Sequence, residues 1–149
     1  MLVLQAGLAF DVGDRLEALR LYGLAAAISP SHTGAAAGYA RAKNLEAVLR
    51  LVDQGFAYEK DLELGAAQRS FEQAVELDSL WEPAQIGLDR VQQIRTKMEF
   101  DLRMTEGFDS IAVGDYLGAR AAFRVAQRLI PISTEPADGL LQVDQGLHL

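Results

Sequence analysis

The side chains best suited to chemistry are few in this chain and lie far apart. Its two histidines are His32, before a predicted helix, and His148, at the C-terminus, and neither has a partner nearby in the sequence. Cysteine is absent, which excludes disulfides, thiolate nucleophiles and zinc–thiolate sites. The 13 glycines follow no phosphate-loop pattern. The sequence therefore predicts a protein that is not an enzyme and that has no cofactor and no metal site.

Carboxylates are plentiful, but they are spaced as on solvent-exposed helix faces. Glu72 and Glu76 lie one helical turn apart, and Asp101 follows Lys97 by one turn, so that the two can form a weak ion pair. The 21 acidic residues outnumber the 14 basic ones, and the basic residues form no evident stripe. Because such a chain repels a phosphate backbone on average, we predict no nucleic-acid partner.

Size and composition predict a small soluble domain. The chain has 149 residues, half of them apolar, which is enough to bury a sizeable core. No apolar run approaches the roughly 18 residues that a membrane helix needs, so no membrane span is predicted. A chain without cysteine is compatible with both the cytoplasm and the periplasm, and the compartment stays open.

The elements that would position any site are predicted to be helices. Alanine and leucine dominate, and apolar residues recur at intervals of three and four. Asp14 and Asp115 each follow a glycine and precede such a run, so we expect both to cap helices. Three helices are expected to end near Ser29, Asp78 and Ile130. Longer helical segments follow these stops, roughly over residues 32–59 and 82–113, and a shorter one begins at residue 134.

The second of the longer segments contains a stretch from Ile94 to Met104 in which apolar and charged residues alternate. Alternation is a strand signal, but the helical pattern on both sides favours a helix with two apolar stripes about 200° apart. The stripes are Ile94, Met98 and Leu102 on one side and Phe100, Met104, Phe108 and Ile111 on the other. Either neighbouring helices cover both stripes, or one stripe stays open as a binding surface.

A segment of about fifty residues occurs three times, which is typical of a helical repeat protein. The clearest stretches read GDRLEALRLYGLAAAISP from Gly13, LELGAAQRSFEQAVELDS from Leu62 and GDYLGARAAFRVAQRLIP from Gly114. Small and large apolar residues keep their places in all three copies. This pattern indicates stacked helices that share a continuous core.

The spacing resembles the tetratricopeptide repeat, in which two antiparallel helices cross at small residues and aromatic side chains pack against the next pair. The matching residues are Gly55, Tyr58, Ala67, Phe71, Ala74 and Leu77 in the middle copy and Gly107, Ala119, Phe123, Ala126, Leu129 and Pro131 in the third copy. In the first copy, Gly7 and Phe10 fit only with a shorter turn. The resemblance implies an all-α superhelix, or solenoid, of about three helical hairpins.

The copies differ in length from those of the family. Family copies recur about every 34 residues, whereas the copies here recur about every fifty. The surplus precedes the glycine of each pair, so we predict a variant with unusually long connecting helices. The predicted repeats cover roughly residues 1–30, 45–79 and 94–131, a final helix covers residues 134–147, and together they form one domain over residues 1–149.

The resemblance also implies a concave groove, lined by the first helix of each pair, that holds a protein or peptide. The family's best-known groove binds a C-terminal carboxylate with an asparagine immediately after the aligned glycine. Phe56 and Phe108 stand there in this chain, so we expect an apolar groove with an acidic rim and a partner whose basic residues flank an apolar face. The candidate groove residues are Asp53, Phe56, Glu59, Met104, Phe108, Asp109 and Ile111, with Glu106 also on the rim. In the alternative interpretation, both phenylalanines pack against neighbouring helices.

Both ends of the chain are apolar, where a repeat array normally has a polar capping helix. The chain opens with MLVLQAGLAF and closes with GLLQVDQGLHL. We expect either a piece of a longer protein or ends that a second copy of the chain covers. The leading hypothesis is a non-enzymatic protein interaction scaffold, and the alternative is an assembly element that self-associates through these ends.

Overall fold

The computed structural model describes residues 1–149 and contains seven α-helices and no strand. The helices are α1 (Leu2–Asp11), α2 (Arg15–Ile28), α3 (Thr33–Lys60), α4 (Leu64–Leu77), α5 (Glu82–Ala112), α6 (Tyr116–Leu129) and α7 (Glu135–Leu147). The all-α prediction is confirmed, and long connecting helices are present, because α3 has 28 residues and α5 has 31. None of the helices combines the length and the apolar character that crossing a membrane requires.

Local hydrogen bonds explain where the helices begin and end. The side chains of Asp14 and Asp115 each accept a hydrogen bond from a backbone amide in the first turn of α2 and α6, as predicted. The C-cap residues of α2, α4 and α6 are the expected Ser29, Asp78 and Ile130. His32, for which the sequence predicted no role, caps α3, because its Nδ1 accepts a hydrogen bond from the Ala35 amide at 3.1 Å.

The turn before each of α2, α4 and α6 places one residue in the left-handed region of the backbone. Gly13 and Gly114 occupy it in the first and third copies, with φ of 79° and 81°. Glycine adopts this conformation at no steric cost. Leu62 occupies it in the middle copy with φ of 61°, and Glu63, which follows, makes no side-chain capping hydrogen bond. The middle copy therefore has the least favourable turn of the three.

Contacts divide the chain into two compact units, Met1–Val91 and Gln92–Leu149. The first unit contains α1 to α4 and the first part of α5, and the second contains the remainder of α5 with α6 and α7. The sequence predicts one domain over residues 1–149. The dividing point lies within a helix rather than in a loop, so no composition change or linker in the sequence marks it.

In the first unit, the middle copy is built around one phenylalanine. The Phe71 ring of α4 lies against Gly55 of α3 and Gly87 of α5, and a Cβ atom on these glycines would come within 2.7 Å and 2.5 Å of the ring. Ala67 and Ala74, one turn to either side on α4, are fully buried. Because the crossing residues are small, the three helices approach closely enough to enclose the ring.

The first copy repeats this arrangement with a looser fit. The Tyr22 ring of α2 lies so close to Gly38 of α3 that a Cβ atom there would overlap it. A Cβ atom on Gly7 of α1 would be 3.5 Å from the Tyr22 hydroxyl oxygen, which is an ordinary contact. The aromatic side chain is thus held tightly on the α3 side only.

The long helix α3 serves both of these copies. Gly38, in its N-terminal half, faces Tyr22 of α2, and Gly55, in its C-terminal half, faces Phe71 of α4. Both α2 and α4 pack extensively against α3. The extra turns that lengthen the repeat therefore separate two packing sites along one helix.

A junction of aromatic and charged side chains joins the first and middle copies. The Phe10 ring of α1 meets the Trp81 ring, just before α5, edge to face at 5.5 Å between centroids. The guanidinium carbon of Arg41 on α3 lies 4.4 Å from the centroid of Phe10. Arg41 Nε also donates to Oδ2 of the buried Asp78 at 3.0 Å. Since Trp81 is the single tryptophan of the chain, its fluorescence reports on the first unit.

In the second unit, Phe123 of α6 takes the place of Phe71. Its ring lies against Gly107 of α5 and Gly139 of α7, where a Cβ atom on Gly139 would be 2.6 Å from the ring and one on Gly107 would overlap it. The surrounding core consists of Phe100, Met104, Ala119, Phe123, Ala126 and Val143. The second unit thus repeats the phenylalanine between two glycines.

The stretch from Ile94 to Met104 is helical, so the interpretation as a helix rather than a strand is confirmed. Phe100 and Met104 are buried in the core of the second unit. Met98 and Leu102, on the other stripe, are at least half exposed. The second stripe is therefore buried at Phe100 and Met104 but not at Phe108, and the first is exposed at Met98 and Leu102. Met104, which the sequence placed in a partner-binding groove, is only 7% exposed and belongs to this core.

Candidate functional site

A groove between α5 and α6 forms a concave surface on the second unit. It encloses about 470 Å³, and we call it the α5–α6 groove. Its α5 wall consists of Arg103, Glu106, Asp109 and Ser110, and its floor on α6 consists of Gly118, Ala121, Ala122 and Val125. Two residues of the predicted acidic rim, Glu106 and Asp109, therefore lie together in it.

The floor of the α5–α6 groove is low because its side chains are small. Gly118 also belongs to the start of α6, since its amide donates to Oδ1 of Asp115 at 2.9 Å and a Cβ atom on it would overlap that carboxylate. Ala121 is exposed, and Ala122 and Val125 are half-buried. A surface of this kind admits a helix or an extended segment at close range, because no bulky side chain keeps the backbone away.

The α5 wall carries a net negative charge, because its one arginine is already paired with carboxylates. Arg103 donates to Glu99 at 2.8 Å and to Glu106 at 2.7 Å. These hydrogen bonds raise the pKa of Arg103 above its usual value, and the one that Arg103 donates to Glu106 has the larger effect. Arg103 is therefore shared between two carboxylates. Asp109 is exposed and has no ion-pair partner, so its charge faces solvent at the groove.

The surface of α6 next to the groove is basic. A shallow depression of about 340 Å³ on α6 adjoins the groove and shares Ala121 and Val125 with it. The other residues that line it are Leu117, Arg120, Arg124 and Arg128. We call this surface the α6 arginine face. The three arginines follow one another at intervals of four and α6 contains no acidic residue, so the prediction that basic residues form no stripe is wrong for this helix.

Phe56 and Phe108, the predicted centres of an apolar groove, occupy equivalent places in the two units. Each is 42% exposed. Phe56 meets Phe71 edge to face at 5.4 Å between centroids, and Phe108 meets Phe123 in the same way at 5.1 Å. Each ring therefore packs against a core phenylalanine and is also partly exposed to solvent, and its place in a partner-binding groove stays a prediction. Phe108 does not line the α5–α6 groove.

The surroundings of Phe56 include a strong ion pair. Glu59 accepts two hydrogen bonds from Arg90 of α5, at 2.5 Å and 2.6 Å, and these bonds lower the pKa of the Glu59 carboxyl. The Arg90 guanidinium carbon also lies 5.6 Å from the Phe56 centroid. Arg90 thus neutralises Glu59 and partly shields Phe56. Of the predicted rim in the first unit, Asp53 remains exposed.

The second unit has no such pair at the corresponding positions. Ile111 and Gln142 stand where the middle copy has Glu59 and Arg90. Ile111 is partly buried and packs against the core of the second unit. Among the seven predicted groove residues, only Asp109 lines the α5–α6 groove.

The groove floor was missed from the sequence because its residues look like ordinary small helix positions. The middle copy has Ala66, Arg69, Ser70 and Gln73 where the third copy has Gly118, Ala121, Ala122 and Val125. The third copy therefore replaces three polar side chains with smaller or apolar ones. That difference between copies was the available signal.

The histidines and carboxylates form no metal-binding cluster. His32 is used as a helix cap, and no group of three or more His, Asp or Glu residues is placed to hold a metal ion. Comparison of the chain with protein-family models, with curated proteins and with solved structures gave no match.

Proposed function

We propose that this chain is a non-enzymatic protein-binding module that holds a helical segment of a partner in the α5–α6 groove. The observation that carries the proposal is the floor of small side chains beneath an open volume of about 470 Å³. A helix with an apolar face can lie on such a floor and bury that face without displacing a side chain of α6.

The charge of the α5 wall supports a partner with basic residues beside its apolar face. Asp109 has no ion-pair partner, and Glu106 shares Arg103 with Glu99. A lysine or arginine on the near edge of the bound helix would lie beside this wall. Such complementarity favours correct orientation and fast association more than it adds affinity.

The assignment to a tetratricopeptide-like family forms part of the same proposal. What supports it is the recurring placement of Tyr22, Phe71 and Phe123, each on the second helix of a copy and each packed against a glycine of an adjacent helix. This packing is common to many binding functions and does not identify a partner.

A matched pair of substitutions tests the groove. Ala121→Phe fills the floor at an exposed position, whereas Ala137→Phe adds the same side chain at an exposed position on α7, outside the groove. The probes are three designed helices of about 18 residues with one common apolar face. Their two edges carry lysine and glutamate, lysine only, or glutamate only.

We expect the wild-type protein and Ala137→Phe to bind the best of these helices equally, and Ala121→Phe to bind it at least about tenfold more weakly because phenylalanine occupies the floor. Fluorescence anisotropy of the labelled helices gives the affinities. Circular dichroism checks that both variants keep their helix content. Equal binding by Ala121→Phe, or binding of none of the three helices to the wild type, would disprove the proposal.

Self-association is a second candidate function, and one observation favours it. The outer face of α1 exposes Met1, Leu4 and Leu8, and Val12 follows in the turn. The side chains of this stripe are apolar, so two copies of α1 can bury them against each other. The occupant of this face would be a second copy of the chain.

A further inference from the structure

The α6 arginine face indicates which chemistry the far edge of the bound segment carries. We infer that Arg120, Arg124 and Arg128 bind an acidic edge of the partner helix. The acidic α5 wall and the basic α6 arginine face together then hold this helix in one direction. The inference rests on the proposed function, because it concerns a segment seated in the α5–α6 groove.

The spacing of the arginines suits a helix lying alongside. At about 1.5 Å per residue, residues four apart on α6 rise by about 6 Å, so the three guanidinium groups follow the axis over about 12 Å. A partner helix presents carboxylates at the same interval when Glu or Asp recurs every four residues. Arg120 already forms one ion pair, since its Nη2 donates a hydrogen bond to Oδ1 of Asp144 on α7 at 2.9 Å. Arg124 and Arg128 are exposed and have no ion-pair partner.

The positive charge of α6 is unbalanced within its own helix. All three of its charged residues are arginines, whereas the chain as a whole has a net charge of −7. Like charges one turn apart repel each other on a helix surface. A row of carboxylates from outside would relieve this repulsion and pair with the two unpaired guanidinium groups.

The apolar residues between the arginines favour a protein over a nucleic acid. Leu117 is exposed, and Ala121 and Val125 continue its line into the α5–α6 groove. A phosphate backbone offers nothing to cover this apolar line and would be repelled by Glu106 and Asp109 across the groove. An amphipathic helix covers the line with its own apolar face and places its acidic edge over the arginines.

A second copy of the chain is a poor occupant of this face. Two-fold pairing through α6 would place the arginines of one copy against those of the other. Like charges brought together in this way cost affinity. The partner therefore differs from α6 in charge.

The α5 wall and the α6 arginine face together select the direction of the bound helix. Asp109 and Glu106 stand on the α5 side and the arginines on the α6 side. A helix with one basic and one acidic edge matches both walls in one direction and neither in the other, because reversing it exchanges its edges. The partner is thus identified as an amphipathic helix with opposite charges on its two edges.

Charge reversal on α6 tests the inference with the same three designed helices. Arg124→Glu with Arg128→Glu reverses the unpaired part of the arginine face. Arg50→Glu with Arg69→Glu makes the same change in net charge at exposed positions of the first unit. We expect the α6 double variant to bind the helix with lysine and glutamate edges about tenfold more weakly, and the control double variant to bind it like the wild type. The helix with lysine on both edges should not lose affinity for the α6 variant.

The direction of binding is measured with a spin label at the N-terminus of the lysine and glutamate helix. We expect paramagnetic broadening of amide signals at one end of α6 only. Broadening at both ends, or unchanged affinity of the α6 double variant, overturns the inference while leaving the groove intact if Ala121→Phe still weakens binding. Tighter binding of the wild type to duplex DNA or to anionic lipid vesicles than to any of the three helices also overturns it.

Discussion

At the scale of single residues, each of the three turns before α2, α4 and α6 needs one residue in the left-handed conformation. Two of the turns use glycine and the third uses leucine. Gly13 and Gly114 take the left-handed conformation and are each followed by an aspartate that caps the next helix. Leu62 takes the same conformation, and Glu63 makes no capping hydrogen bond. The left-handed region costs a residue with a Cβ atom about 1–2 kcal/mol.

We expect Leu62→Gly combined with Glu63→Asp to stabilise the first unit by about 1–2 kcal/mol. The glycine removes the steric cost, although it increases the entropy of the unfolded chain, and the aspartate adds a cap worth about 1 kcal/mol. No buried contact is lost, because Leu62 is 81% exposed. Urea unfolding followed by Trp81 fluorescence measures the change.

The single variants separate the two contributions. Leu62→Gly alone relieves the backbone, and Glu63→Asp alone adds the cap. A double variant no more stable than the wild type would show that the middle turn carries neither cost.

The repeat predicts which residues are buried only at positions where the copies share the same type of side chain. The alanines and phenylalanines at the repeat positions are fully buried, namely Ala67, Phe71, Ala74, Ala119, Phe123 and Ala126. Tyr58, which also matches the spacing, is exposed. Small residues at a helix crossing must be covered because the neighbouring backbone lies on them, whereas a tyrosine at the edge of the crossing can turn outwards.

At the scale of elements, the ends of the helices were predictable from the sequence, but which face of each helix its neighbours bury was not. A cap such as Asp115 acts on amides within its own turn, so sequence alone defines it. Whether Met104 or Met98 is buried depends on where α6 and α7 lie around α5. The α6 arginine face was missed for a different reason, because charge was judged over the chain instead of helix by helix.

The ion pair between α3 and α5 predicts a dependence of stability on pH. Hydrogen bonds from Arg90 lower the pKa of Glu59 in the folded state. The pair therefore adds stability above the pKa of the unfolded carboxyl, and this contribution is lost as the pH falls through the folded pKa. We expect Arg90→Met to destabilise the first unit by at most about 1 kcal/mol at neutral pH, since Arg90 is partly exposed.

The difference between the wild type and Arg90→Met should shrink as the pH is lowered from neutral into the acidic range in which the Glu59 carboxyl becomes protonated. Urea unfolding followed by Trp81 fluorescence at each pH measures it. Arg50→Met is the matched control, because Arg50 is exposed on α3 in the first unit and forms no ion pair. A difference independent of pH would mean that Arg90 acts through its packing on Phe56.

At the scale of the whole molecule, the outer face of α1 makes a prediction about association. Leu4 and Leu8 are 69% and 61% exposed. If they pair with a second copy, the apparent mass from light scattering should rise with protein concentration. We expect Leu4→Gln with Leu8→Gln to remain monomeric over the same range, because polar side chains remove the gain from burying the stripe.

Leu141→Gln on α7 is the control for association, since Leu141 is equally exposed but lies in the second unit. It should associate like the wild type. A wild-type mass that stays constant on dilution would dismiss self-association and leave partner binding as the proposed function.

The double use of α3 has a consequence for how the chain can change in length. Gly38 and Gly55 face different helices and are 17 positions apart in one continuous helix. At about 100° per residue, this separation fixes the angle at which α2 and α4 leave α3. Removing one residue between the glycines would turn α4 by about 100° around α3, whereas removing seven would turn it by only about 20°. The length of α3 between these glycines therefore sets the orientation of α4 relative to α2. Insertions or deletions within α3 preserve the packing of both helices only when they amount to nearly whole turns.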